Sequence, residues 1–331
     1  MDDRDSPASA SLEIVLMNSK RALVIGAGGG GDVLGAYVVG KFLELHSIEV
    51  ILGGVAWQNP RVDPMPGPRK LSEVQNVTPL HPYLWSADVT TRTSTGAVFP
   101  ESHIAAFTGK DTLLVDITGG SCGVAAGLRS AMARLDADLL VGVDVGGDSL
   151  ATGSEPGLAS PLADSIMLAA FADLNQDGVN ALWSVWGYGS DGELTHAELE
   201  SAFAHIARGG GLYGAWGLTR SVAAELETLV RTIPTEASAI PLESARGATG
   251  ERSIRDGAAA VRLSPLQTLA FFVSPLVVFR ELSRPARAVA QTDSVESAND
   301  RLHAMGLTSE LDFERTLFAT SAQQSTYARS K

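Results

Sequence analysis

The chain has 331 residues, 45% of them apolar and 19% charged, enough for a sizeable core in one large domain or two modest ones. Its formal charge of −13 excludes a nucleic-acid surface or an anionic membrane as partner, so a phosphate must be held locally, by amides, single arginines or a bridging cation. A single cysteine, Cys122, excludes an intrachain disulfide framework and a cysteine-rich zinc site, and no apolar run reaches the ~18 residues of a membrane span.

Met1–Lys20 reads as a loose acidic and polar tail without the charged-then-apolar pattern of a signal peptide, so the cytoplasm is the expected compartment. Leu12–Leu16 within it could be a short strand or helix. Arg21–Ala36 then organises the rest: an apolar strand, Ala22–Ile25, runs into four consecutive glycines and a helix opening at Asp32, with Leu34, Tyr37, Val38, Phe42 and Leu45 on one face. Gly26, Gly28 and Gly31 satisfy G-x-G-x-x-G in a strand–turn–helix context, where the amides of Gly28, Gly29, Gly30 and Gly31 and the positive helix end can hold a phosphate. The second strand, Ile48–Leu52, ends in Gly53-Gly54 and lacks the acid that binds a dinucleotide ribose, so NAD and FAD are not favoured. No Lys-Ser/Thr follows the glycines, which argues against a P-loop. Asp32 stands there instead, either capping its helix or facing a metal ion or ligand hydroxyl.

Residues 56–110 are rich in Pro, Asn and Thr and read as an excursion over the ligand edge with short strands inside it. Trp57, His81, Tyr83, Trp85 and His103 are expected to pack locally within it. Regular alternation resumes with a strand at Thr112–Ile117, a helix at Val124–Leu135, a strand at Leu139–Val145, a helix after Ser160-Pro161, a strand at Ala181–Trp186, and a helix begun by a Thr195/Glu198 capping box. Beyond it, Gly209–Gly217 reads as a turn, Leu218–Val230 as a helix, Glu243–Asp256 as a loop, and Ala259–Leu263 and Ala286–Gln291 as late strands. Ser294–Met305 reads as a helix, with a frayed end from Thr320 to residue 331. The expected fold is a single Rossmann-like α/β domain over 21–319, a doubly wound, mostly parallel sheet with helices on both faces.

Four strands end in glycine with acid: Gly26–Asp32, Asp116–Gly120, Asp144–Asp148 and Gly187–Glu193. In an open α/β sheet such loops gather at the carboxyl edge where ligands bind. Gly119, Gly120, Gly146 and Gly147 allow a ligand to approach closely. So many carboxylates need compensation, from a hard cation such as Mg²⁺ or from raised carboxyl pKa values suited to acid/base work. Asp144 and Asp148 are the preferred metal pair, Asp148, Glu155 and Asp191 the candidates for proton transfer, and Asp164 is expected to be structural. His196 at a helix start should be held neutral. Cys122, also at a helix start, could have a depressed pKa, against the alternative of a buried inert thiol. Arg129 and Arg220 are the nearest candidates for pairing with an anion.

Gly26–Ala36, Asp144–Asp148, Glu155-Pro-Gly-Leu158, Ser160-Pro-Leu-Ala-Asp164 and Gly189-Ser-Asp-Gly-Glu-Leu194 together resemble domain-of-unknown-function family 1152, found in archaea and actinobacteria. The resemblance implies a Rossmann-like fold from about Arg21 onward and brings no established reaction. The residues themselves point to an enzyme that acts on a phosphorylated or nucleoside-type small molecule by carboxylate-assisted hydrolysis or group transfer. A non-catalytic nucleotide sensor or assembly subunit and an atypical dinucleotide-dependent enzyme stay open, as does a homo-oligomer.

Overall fold

Leu23 and Ile25 enter one hydrophobic core and Ala22 and Val24 another, because successive strand residues point to opposite faces of a sheet. A strand apolar on both faces must be covered on both, and the rest of the fold supplies that cover. The computed structural model describes residues 11–329. In order come α1 (Leu12–Met17), β1 (Arg21–Gly26), α2 (Asp32–Leu45), β2 (Glu49–Val55), β3 (Val74–His81), β4 (Leu84–Thr93), α3 (Pro100–Thr108), β5 (Thr112–Val115), α4 (Gly120–Leu135), β6 (Leu139–Val145), α5 (Pro161–Gln176), β7 (Ala181–Trp186) and α6 (His196–Arg208). There follow β8 (Leu212–Gly217), α7 (Arg220–Leu229), α8 (Ile240–Ala245), β9 (Gly250–Ile254), β10 (Ala259–Leu263), β11 (Leu269–Val273), α9 (Pro275–Val277), α10 (Arg284–Val289), α11 (Val295–Ala304) and α12 (Glu310–Arg329).

Nine strands form one sheet in the order β3-β4-β5-β2-β1-β6-β7-β11-β8. Its centre, β5-β2-β1-β6-β7, is parallel. Antiparallel partners extend both edges, β4 and β3 beyond β5 and β11 beyond β7. Apolar residues of α2 and α7 cover one face, and those of α4, α5, α10 and α11 the other. The expected α/β architecture is therefore present, and no helix among the described residues is long and apolar enough to cross a membrane.

Several local expectations change. Leu12–Met17 is a helix, and residues 1–10 of the expected tail lie outside the described residues. The excursion at 56–110 divides in two: 57–70 is a loop, whereas the β3–β4 hairpin widens the sheet. Gly209–Gly217 contains strand β8 rather than a turn alone, and the polar stretch before Asp256 contains β9, paired with β10 in a separate ribbon. Ala286–Gln291 is not a strand: Ser283 accepts the Ala286 amide and Pro285 fits the first turn of α10. The last helix, α12, ends at Arg329.

The glycines of the first turn serve different ends. A Cβ on Gly26 would lie 2.5 Å from the backbone carbon of Asp32, so this residue sets how closely β1 and α2 approach. Gly30 has open space around it and a φ of 55°, so it needs only the left-handed conformation. Gly26→Ala should therefore cost about 3 kcal/mol or more by forcing strand and helix apart, and Gly30→Ala only about 1 kcal/mol. Urea unfolding of the two variants measures the difference, and equal losses would contradict this division of roles.

Candidate functional site

The chain leaves β1 for β2 on one side and later returns to lay β6 on the other, so the strand order reverses between β1 and β6. Loops that follow adjacent strands diverge at such a point and leave a crevice at the carboxyl edge. Two glycine-and-acid turns, Gly26–Asp32 and Asp144–Asp148, flank it. Alternation on β6 sends Leu139, Val141, Val143 and Val145 to the face of α2, which leaves Asp144 on the face of α5. Asp164 meets it from the first turn of α5.

Asp144, Asp148 and Asp164 are all buried and bring one carboxylate oxygen each to within 4.8 Å of one another. Asp148, Asp191 and Glu193 form a second such group. Asp144 is held by the amides of Gly147 and Ser149 at 2.9 and 3.1 Å and by the Ser149 hydroxyl. Glu193 accepts the Ala159 and Ser160 amides, the Ser160 hydroxyl and the guanidinium of Arg255. Asp164 Oδ1 and Asp191 Oδ2 are buried without a hydrogen-bond partner among the described residues. Such oxygens need a cation or a proton, because an unpaired buried charge is costly.

Burial raises the carboxyl pKa values of Asp144, Asp148, Asp164 and Asp191, and neighbouring acids add to it. Asp148 is pushed well above the usual range by burial, Asp164 and Glu193; Asp164 by burial, Asp144 and Asp32; Asp191 by burial and Glu193. Asp144 rises only to about 6, because its hydrogen bonds favour the charged form. Glu310, from α12, accepts the Leu162 and Ala163 amides at the start of α5 and is pushed up to about 7.

Over these acids opens a cleft of about 780 Å³ lined by Gly28–Asp32, Trp57–Arg61, Ser160, Asp191, Arg255, Glu310 and Phe313 among others. Glu314 of α12 closes one side, accepting hydrogen bonds from Trp57 Nε1 at 3.1 Å and the Gly67 amide at 2.6 Å. Asp32 is not the cap of α2. It is the first helical residue, after Gly31 at the N-cap, and its Oδ2 accepts the Gly28 amide at 2.8 Å and the Val145 amide at 3.4 Å. With the Gly30 amide bonded to Trp57 O, the Gly29 and Gly31 amides are the ones without a partner among the described residues.

A family model described as "Protein of unknown function (DUF1152)" matches residues 23–318, from β1 into α12 and across every residue of the site. The chain belongs to this family. No curated protein and no solved structure gives a significant match.

Within this DUF1152 chain the expected site residues separate clearly. Gly28, Gly29, Gly30, Gly31, Asp32 and Asp191 line the cleft, and Asp144 and Asp148 lie buried in the acidic group with Asp164. Gly26 instead spaces β1 from α2. The Gly146 amide bonds Trp186 O, a Cβ there would strike Asp191, and the Gly147 amide holds Asp144. Gly119 packs on Tyr83 and Gly120 on the Thr292 backbone, at the end of β5 and outside the cleft lining. Glu155 binds the amides of Thr152, Gly153 and Ser154 of its own loop and lines a different cavity, beside Glu198 and His205. Ser160 gives α5 no side-chain cap, because its hydroxyl turns to Glu193 and Asp148. The Cys122 thiol is exposed rather than buried, and burial of its surroundings with Asp173 nearby raises its pKa instead of depressing it. His196 is shifted down, chiefly by burial, and Arg129 pairs with Asp177 on the surface.

Asp164, expected to be structural, stands in the acidic group, and Glu310, Glu314 and Arg255 were not anticipated. For Asp164 the signal existed: a first-turn position on the helix that follows an acidic strand end faces the same edge as that strand end. Arg255 and Glu310 come from a hairpin tip and a late helix, and no local pattern marks them.

Carboxyls whose folded-state pKa exceeds the unfolded value bind protons more tightly when folded, so stability falls as pH rises between the two. For the cation-free protein that interval runs from the ordinary carboxyl values of 3.8 and 4.5 to about 6 for Asp144 and about 7 for Glu310. Chemical denaturation in EDTA should show on the order of 3 kcal/mol lost from about pH 5 to about pH 8. A profile flat or rising over that range would show that the acids are compensated internally.

Proposed function

We propose that the protein is an enzyme binding a phosphorylated or nucleoside-type small molecule over Gly28–Asp32, and that it performs hydrolysis or group transfer assisted by a divalent cation on Asp144, Asp148 and Asp164. The observation that carries this is the meeting of three buried carboxylates at the strand-order reversal, one oxygen of Asp164 left unpaired. Both triads are all-oxygen, which suits Mg²⁺ or Mn²⁺ and gives no reason to expect zinc. Such an ion draws charge from a phosphoryl oxygen and lowers the pKa of bound water.

The chain's own residues do the rest. The Gly29 and Gly31 amides at the start of α2 can donate to a phosphate oxygen. Arg61 and Arg255 line the same cleft and can meet an anion there. Phe313, 64% exposed, offers apolar surface to a ring. Asp191, with Oδ2 free beside Asp148, activates the attacking water or hydroxyl. A cleft of about 780 Å³ lies within the ordinary range for small-molecule sites.

One observation favours the rival reading of a non-catalytic nucleotide sensor: Asp144, Glu193 and Glu310 already accept backbone amides and so also serve as turn and helix anchors. The two readings part on cation linkage. Mg²⁺ or Mn²⁺ should raise the melting temperature of EDTA-treated protein, by the equivalent of about 2.7 kcal/mol at a hundredfold excess over Kd. Nucleotides or sugar phosphates should add a further shift only with the cation present. Asp148→Asn should raise the cation-free midpoint, having one like charge fewer, and abolish the cation response. A ligand shift indifferent to cation and unchanged in Asp148→Asn would overturn the proposal, and a product assay on the bound compound separates enzyme from sensor.

A further inference from the structure

The two carboxylate triads share a member, Asp148. We infer that the floor of the cleft binds two hard divalent cations bridged by Asp148, the second held by Asp148, Asp191 and Glu193. This rests on the cation-binding reading of the first triad.

Asp191 supplies the independent observation. It is 5% exposed, its Oδ1 accepts the Glu193 amide at 3.1 Å, and its Oδ2 has no partner among the described residues. That oxygen is not explained by the first ion, because Asp191 belongs only to the second triad. Glu155, by comparison, engages both oxygens on its own loop. Asp191 uses one.

A positive group already stands at the second position. Arg255 Nη2 lies 2.5 Å from Glu193 Oε1, with its side chain 39% exposed. It bonds Glu193 and not Asp191, so one guanidinium stands against the three carboxylates of the triad. It reaches the floor from the tip between β9 and β10, where Arg255 and Asp256 both hold a φ of 55°. Arg255 is therefore the resident counter-charge, and an ion taking Glu193 Oε1 would displace it. Glu193 Oε2 stays on the Ala159 and Ser160 amides at 2.7 and 2.9 Å and keeps the carboxylate in place.

Two ions sharing a carboxylate in hydrolytic sites sit about 3.5–4 Å apart and clamp the attacking and leaving oxygens of a displacement. Asp191 would then serve as a ligand of the second ion rather than as a free base, and that ion would supply the activation of water. This also fits the lack of a histidine or cysteine in either triad.

The test is Mn²⁺ titration of the full chain after EDTA treatment, followed by calorimetry and by electron paramagnetic resonance. The expected result is two Mn²⁺ per chain with an exchange-coupled spectrum. Asp191→Asn should bind one, uncoupled, and Glu193→Gln should do the same, which guards against a folding defect in either variant. One Mn²⁺ in the wild type, unchanged by Asp191→Asn, would overturn the second site and leave the first standing. No bound Mn²⁺ would overturn both.

Discussion

The constraint on which this structure turns is like charge confined where the strand order reverses. Asp32, Asp144, Asp148, Asp164, Asp191, Glu193 and Glu310, drawn from distant parts of the chain, interact in one place, with Arg255 as the guanidinium bonded among them. The helix starts at Asp32 and Pro161 each add about half an elementary charge. Arginine and dipoles together answer about two of seven negative charges, so the group must be largely protonated or must recruit cations. Protonation satisfies it at low pH, as the upward pKa shifts indicate. Near neutrality a cation would be the alternative to protonation, because each ion would answer two charges and several ligand oxygens at once.

This changes the meaning of the glycine turn. A conventional phosphate cradle leaves its amides open, but here Asp32 takes the Gly28 amide and the Trp57 carbonyl takes that of Gly30. Asp32 also bonds the end of β6 through the Val145 amide and so ties the two walls of the crevice together. The turn is a clasp first, and the two amides that remain can only supplement a charge supplied from elsewhere. That explains how a fingerprint shaped like a dinucleotide site can stand beside a second strand ending in Gly53, Gly54 and Val55 with no acid for a ribose.

How much of this was legible in the sequence follows from the range of each interaction. β1, α2, β6, α5 and β7 were readable because their signals are local: apolar runs for strands buried on both faces, a helical stripe after Asp32, and Ser160-Pro161 at a helix start. β11 was not, because Leu269–Val273 is five apolar residues in a longer apolar stretch and owes its place between β7 and β8 to antiparallel pairing with both. Ala286–Val289 misled for the opposite reason: small and β-branched residues suggest a strand, yet the Ser283 cap decides for a helix. At the site, acids that end strands were visible. Glu155 was visible too and belongs elsewhere, since spacing shows that a carboxylate lies in a loop and not which way the loop folds.

The late elements are what turn an exposed sheet edge into an enclosed cleft. Glu310 satisfies the first amides of α5, and Glu314, one turn on, fastens Trp57 and Gly67, so a single face of α12 anchors both the helix that carries Asp164 and the loop that overhangs the glycine turn. The hairpin that carries Arg255 closes the opposite rim, pinned by Glu236 to the Arg255 amide and by Arg61 to Asp256. These closures matter electrostatically, since excluding water strengthens every interaction within the cleft and raises the cost of leaving an acid unpaired. The same enclosure that makes the carboxylates expensive would thus make a cation bound among them, as proposed, correspondingly tight.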